Sequence, residues 1–247
     1  MSNRQMNQML ETILGVASTA TPLELLGDYD DLPDAIMLDK KGVLLPQPAS
    51  FWRHATSGTR AMFGRKHGIY SFPTLEGIAF IKECIDGREL QTIEVGAGNG
   101  GWGKALGIRS TDSYLQRRAD VAAKYAMMKQ PPVSYGAHVE KLEAIKAVRK
   151  YRPSIVVASW VTQKFRADRF CIRGNEDGVD ELRLLELVDE YILIGNTAQH
   201  GDKMIVEDAF AGRSTHRIVN TMSENLASRA LVGQDFIFHF RRKESLK

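Results

Sequence analysis

The chain has 247 residues, with 33 lysines and arginines against 30 acids for a formal charge of +3, and 43% of it is hydrophobic. That length buries most of the apolar surface of one α/β domain with room for an addition, and so small a charge does not by itself imply a nucleic-acid partner. Cys84 and Cys171 are too few for a disulfide framework or a four-ligand zinc site. No apolar run is long enough to cross a bilayer and no signal-peptide core is present, so a reduced, cytoplasmic protein is expected.

Residues 1–50 set seven carboxylates, from Glu11 to Asp39, against Arg4, Lys40 and Lys41. Met6, Leu10, Ile13 and Leu14 recur at helical spacing, as do Leu23, Leu25 and Leu26, before the segment 27–33 breaks any helix. One or two small helices are expected, packing on the main domain or on a second subunit as a homo-oligomer contact. Residues 51–70 reverse the sign: Arg53, Arg60, Arg65 and Lys66 are interleaved with Phe51, Trp52, Phe63, His54 and His67, without a carboxylate. Such a mixture holds phosphate and stacks on bases, or it neutralises the acidic segment before it; the second reading is preferred. The expected division is an N-terminal extension over 1–69 and a main domain over 70–247.

A helix follows Thr74, with Leu75, Ile78, Phe80, Ile81 and Ile85 on its apolar side and Gly87 at its end. Thr92, Ile93 and Val95 then form a β-prone run containing Glu94, followed by Gly96, Gly98, Gly100 and Gly101. A short helix over 102–106 and a second strand ending at Asp112 complete the order strand, glycine loop, helix, strand, acid. Glycines permit close backbone approach and the helix N-terminus offers free N–H donors to an anionic group. Gly96, Gly98 and Gly101 fit the dinucleotide spacing, whereas Gly96, Gly98 and Gly100 fit that of S-adenosylmethionine enzymes. An acid at Glu94 suits a ligand with an ammonium and a sulfonium, and Asp112 suits a ribose diol with either ligand.

Beyond Asp112 the pattern predicts a helix over 113–129 with Leu115, Val121, Tyr125 and Met128 inward, and a short third strand over 133–135. A helix carrying Leu142, Ile145 and Val148 follows, then a fully apolar central strand over 154–159. After a loop over 160–179 come a helix with Leu182, Leu185 and Val188, a strand over 191–195, and strands around 217–219 and 236–240. Strands alternate with helices, which requires a doubly wound α/β sheet.

With Glu94-Val-Gly-Ala-Gly-Asn-Gly as first motif and Asp112 as second acid, the chain resembles class I S-adenosylmethionine-dependent methyltransferases over about residues 70–240. Tyr70-Ser-Phe-Pro-Thr, Val-Val-Ala-Ser-Trp160 and Tyr191-Ile-Leu-Ile-Gly-Asn are similar to a group of methyltransferase-like proteins of bacteria, fungi and phages. That group shows Trp-Pro-Pro where Trp160-Val161-Thr162 stands, and an acid where Asn196 stands. The resemblance implies a mostly parallel, seven-stranded, Rossmann-like methyltransferase sheet with an antiparallel C-terminal strand, plus the N-terminal helical extension.

It also implies S-adenosylmethionine bound by Glu94, Gly96, Ala97, Gly98, Asn99, Gly100 and Asp112, with adenine near Ala137, His138 and Val139 and with Trp160 bordering the acceptor. The acceptor that this reading expects is a small molecule or a nucleic acid. Trp160, His200 and Asp202 are the candidate catalytic residues, a base being needed only if the acceptor must lose a proton, and His138 is a further candidate for that base. Neither Asp-Pro-Pro-Tyr nor a Pro-Cys nucleophile is present, which disfavours DNA amino- and cytosine C5-methylation. His200, Asp202, Glu207 and Asp208 match no metal-site spacing. The alternatives are a non-catalytic interaction or regulatory module of the same fold and a nicotinamide-dependent oxidoreductase.

Overall fold

The computed structural model describes residues 30–169 and 174–243. The helices expected within 1–29, and Cys171, lie outside the described residues. A seven-stranded sheet has the order β4-β3-β2-β5-β6-β9-β7, made of β2 (Thr92–Val95), β3 (Arg109–Asp112), β4 (Glu140–Lys141), β5 (Ile155–Ser159), β6 (Glu190–Asn196), β7 (His216–Met222) and β9 (Asp235–Arg242). From β4 to β6 neighbouring strands are parallel, while β9 runs antiparallel to both β6 and β7. The doubly wound sheet with one antiparallel C-terminal strand is therefore as expected. A two-stranded antiparallel sheet, β1 (Ser71–Phe72) with β8 (Ala227–Ser228), was not anticipated.

Strand alternation divides the core. Val156 and Ala158 of β5 face a cluster with α7 (Ala144–Tyr151), α8 (Glu181–Leu187) and α10 (Met204–Phe210), represented by Val148, Leu184 and Ile205. Ile155 and Val157 face α4 (Leu75–Ile85) and α5 (Gly101–Leu106) through Ile81, Ile85, Trp102 and Leu106. Burial on both faces explains the uninterrupted apolar run of this strand. Helix α4 starts where the Thr74 hydroxyl accepts the Gly77 amide at 3.0 Å, and ends where Asp86 turns left-handed.

The third strand departs from the sequence reading. Residues 133–135 pair with no strand; Tyr135 is instead held by stacking on Tyr114, with centroids 4.0 Å apart. Pro131 and Pro132 lack amide donors, and the edge position goes to Glu140–Lys141, whose charges suit an edge strand. The expected helix over 113–129 is shorter, α6 (Ala119–Met127), and no residue of it is buried.

Residues 30–69 include α1 (Asp34–Met37), α2 (Ala49–His54) and α3 (Ser57–His67). They share a third core with the main domain: Met37, Leu44, Trp52 and Phe63 pack with Phe72 and Ala227, and Trp52 stacks on Phe72 at 4.3 Å. Most of the basic residues here are structural. Lys66 pairs with Asp31 and Asp34, His67 bonds Asp34 at 2.9 Å, and the Arg60 guanidinium donates to the Trp52 and Ala55 carbonyls. The local neutralisation expected from the sequence is thus present for Lys66, and His67 adds a hydrogen bond to the same Asp34 carboxylate. Between β6 and α10, the short α9 (Thr197–His200) follows directly on the end of β6.

Candidate active site

The chain leaves β2 for β3 and β4 on one side, then returns to β5 on the other, so the switch point lies at the carboxyl ends of β2 and β5. Ligands of open α/β sheets bind in the crevice that such a reversal leaves. A cleft of about 440 Å³ opens there, within the ~300–1,000 Å³ typical of small-molecule sites. Its walls include the loop from Gly96 to Gly101, Asp112, Leu115, Val133 and Trp160.

The loop is held rigidly. The Ala97 amide donates to the Thr111 carbonyl, the Gly100 amide to the Ala97 carbonyl, and the Gly98 amide to Asp112 Oδ2 at 2.9 Å. Asp112 Oδ1 accepts the Tyr114 amide at 2.7 Å. Burial raises the Asp112 pKa against the opposing effect of these two amides. Asn99 is a bracket: its Oδ1 accepts the Leu44 amide at 2.7 Å while Nδ2 donates to the carbonyls of Gly42 and Ser134. The N-terminal segment is thereby tied to the loop.

Gly96 adopts φ +61°, and a Cβ on it would fall 2.4 Å from Val161 Cγ1. Val161, one of the two departures from the group that the sequence resembles, therefore seats directly on the loop. The other departure, Asn196, caps α9 by accepting the Ala198 amide and donates to Asp235 Oδ1 at 2.9 Å. A carboxylate is thus present beside position 196, supplied by the paired strand; an acid at 196 itself would face it.

Gly96, Ala97, Gly98, Asn99, Gly100, Asp112 and Trp160 line the cleft. Glu94, His138 and Val139 are placed elsewhere. Glu94 is 1% exposed beneath α5, its Oε2 accepting the Gly103 amide at 3.0 Å and the Ser110 hydroxyl at 2.8 Å. Burial pushes its pKa up to about 8 despite those bonds. His138 and Val139 come before β4, not after the third strand as the sequence reading had it, and they pack against Gly100 with His138 Nε2 3.1 Å from its carbonyl oxygen. The residues after the carboxyl end of β4 are Leu142 and Glu143.

Trp160, directly after β5, adopts a left-handed conformation, φ +54°, uncommon for a bulky residue. Its ring lies 6.1 Å from Tyr70 and edge-on to His200 at 5.0 Å, and its indole N–H is buried without a hydrogen-bond partner. Tyr70, Trp160, Val161 and Thr162 also border a second cleft, of about 500 Å³, which His200 and Asp202 line. The sequence-derived candidates thus fall around two adjoining spaces with Trp160 between them. His200 Nδ1 accepts the Asn196 amide at 3.0 Å, which occupies the lone pair that a neutral imidazole would use as a base. Beneath, Lys203 is 2% exposed and ion-pairs with Glu181 Oε2, whose Oε1 accepts the Tyr191 hydroxyl at 2.7 Å. Asp208 is engaged by the fork of Arg169 at 3.0 Å. Among the described residues no group of three His, Cys, Asp or Glu is arranged to hold a metal ion, and no helix is long and apolar enough to cross a membrane.

Sequence reasoning missed Tyr70, Arg229 and the Val161–Gly96 contact. Only the Tyr70-Ser-Phe-Pro-Thr segment carried a signal, and it pointed to a helix start.

No protein-family model and no curated protein matches the chain. Among solved structures it is similar to a candidate RNA methyltransferase from Pyrococcus horikoshii, with TM-score 0.37 and 12% identity over 68% of this chain and 83% of that one. It is also similar to a candidate tRNA (m1A22) methyltransferase from Streptococcus pneumoniae, with TM-score 0.33 and 12% identity over 63% and 66% of the two chains. Likenesses this distant leave function to be argued from the geometry of the site itself.

Proposed function

We propose that the protein is an S-adenosylmethionine-dependent methyltransferase, with a small molecule or a nucleic acid as acceptor. The observation that supports this best is the Asp112 carboxylate at the end of β3, directed at the glycine loop by its bond to the Gly98 amide. Each carboxylate oxygen accepts one backbone amide there and retains capacity for a further donor. The residues fit the cofactor. Asp112 would take the ribose hydroxyls, the backbone of Ala97 and Gly98 would border the amino-acid end, and Leu115 and Val133 give an apolar wall for a base.

The cofactor, when bound, supplies a methyl group on a sulfonium already activated for in-line displacement. The chain then contributes orientation. Trp160 and Tyr70 separate the two clefts and would set the line of approach, and Val161 closes the space over Gly96. Because Nδ1 of His200 is occupied, the geometry favours an acceptor that is nucleophilic without losing a proton first, with Asp202 as the other candidate base. The same occupied imidazole is what favours the second reading, a non-catalytic module of this fold.

Parallel calorimetric titrations with S-adenosylmethionine, S-adenosylhomocysteine and NAD test the proposal. Binding of the first two is expected. Binding of NAD alone would overturn it in favour of an oxidoreductase, and binding of none would favour the non-catalytic module.

A further inference from the structure

The small β1–β8 sheet brings together two side chains far apart in sequence. The Arg229 amide donates to the Tyr70 carbonyl at 3.0 Å, and the guanidinium lies over the Tyr70 ring with Cζ 3.5 Å from its centroid. The stem of Arg229 crosses α3 at Gly64, where a Cβ would fall 2.6 Å from Arg229 Cβ. Nη1 of Arg229 is buried and has no hydrogen-bond partner. Burial depresses the Arg229 pKa, and the charge of Arg65 acts in the same direction while Tyr70 opposes it.

Arg65, on α3, lines the same second cleft and makes no ion pair among the described residues. The surrounding bases differ in this respect: Lys66 is paired with Asp31 and Asp34, Arg53 bonds Asn225, and Lys203 is matched by Glu181. Asp202 is the carboxylate lining this cleft. Two guanidiniums without counter-ions among the described residues therefore line a space that adjoins the glycine-loop cleft through Tyr70 and Trp160. A buried cation with an unmade hydrogen bond is costly, and an arriving oxyanion removes that cost. The planar guanidinium fork matches phosphate oxygens in a bidentate manner.

We propose that the molecule entering the second cleft carries a phosphate, held between Arg65 and Arg229, with its reacting group presented past Tyr70 and Trp160. This rests on the methyl-transfer reading for the identity of the second cleft as the acceptor site, while the anion site itself can be scored separately.

The test is calorimetric titration of inorganic phosphate, a nucleoside monophosphate and a single-stranded RNA oligonucleotide into the protein at low salt, with and without S-adenosylhomocysteine. At least one phosphate probe is expected to bind. Arg65→Gln and Arg229→Lys are each expected to weaken it about tenfold or more, about 1.4 kcal/mol, while S-adenosylhomocysteine binds as before. For the RNA probe, each lost contact should also reduce the salt dependence by about 0.7. Binding of RNA alone assigns the phosphate to a nucleic acid, and binding of the small probes assigns it to a phosphorylated metabolite; both support the site. Should Arg229→Lys fail to fold by circular dichroism, Arg65→Gln, at a half-buried position of α3, decides the matter. Binding by none of the probes, or affinities unchanged in the folded variants, would overturn the proposal. Failure of S-adenosylhomocysteine to bind the unmodified protein would instead count against the methyl-transfer reading, leaving the phosphate result to stand on its own.

Discussion

The Gly98 amide donates to Asp112 Oδ2 at 2.9 Å, so the acid that ends the second strand of the sheet order also holds the loop it faces. From the sequence, Asp112→Ala is expected to weaken cofactor binding with little change in stability. The structure adds a stability cost, because the amides of Gly98 and Tyr114 both lose their acceptor. Bonds to a charged group contribute roughly 1.5–3 kcal/mol each. Asp112→Ala should therefore lower S-adenosylhomocysteine affinity by about one to two orders of magnitude and also lower the urea midpoint. Asp112→Asn, which keeps one acceptor oxygen, should do less of both. Calorimetry and urea unfolding on the same samples check this; unchanged binding by folded Asp112→Ala would remove Asp112 from the cofactor site.

Glu94 should act on stability through pH. Its pKa is raised from 4.5 to about 8 in the folded protein, chiefly by burial. The folded state therefore holds a proton that the unfolded chain releases, and stability should fall as pH rises from about 4.5 to about 8. The slope from this group is at most about 1.4 kcal/mol per pH unit. Glu94→Gln removes the titration, so its urea midpoint should depend less on pH across that window and exceed that of the unmodified protein near the upper end. Parallel midpoint-against-pH curves would contradict this.

Gly96 has two separable reasons to be glycine. Its φ of +61° disfavours a side chain, at a cost of about 1–2 kcal/mol, and a Cβ would meet Val161 Cγ1 at 2.4 Å. Gly96→Ala should be destabilised by both effects. Adding Val161→Ala should relieve the steric part alone, giving a non-additive double-mutant cycle in urea unfolding. Strict additivity would show that the two residues do not press on each other.

Lys203 and Glu181 form a buried ion pair, at 2% and 3% exposure. Removing one partner strands the other charge, so Lys203→Met or Glu181→Leu should each cost about 3–5 kcal/mol in unfolding experiments. The combined variant should lose far less than the sum of the two, although the Tyr191 hydroxyl then also loses its acceptor. A double variant as unstable as that sum would argue against the pair.

Much of the architecture is legible because it is local. The apolar run of β5, the helical spacing of Ile78, Ile81 and Ile85, and the succession from β2 through the glycines to Asp112 all follow from short-range periodicity and backbone freedom. The edge strand lies after the segment that Pro131-Pro132 introduces, and local pattern misplaces it for the complementary reason. Val133 and Tyr135 look β-prone, but the actual edge strand is two charged residues, selected by the neighbour available for pairing and not by propensity.

By itself, the sequence determined the alternating α/β order, the acid that follows the second strand and the glycines that let the loop turn, since each is a property of a few consecutive residues. Only the tertiary structure decided which way those residues point and what they meet. Glu94 turns beneath α5 to Ser110, Asn99 reaches back 55 residues to Leu44, and Arg229 is laid across Tyr70 by a two-residue sheet. Such contacts depend on long-range closure of the chain around its core, so no local pattern carries them.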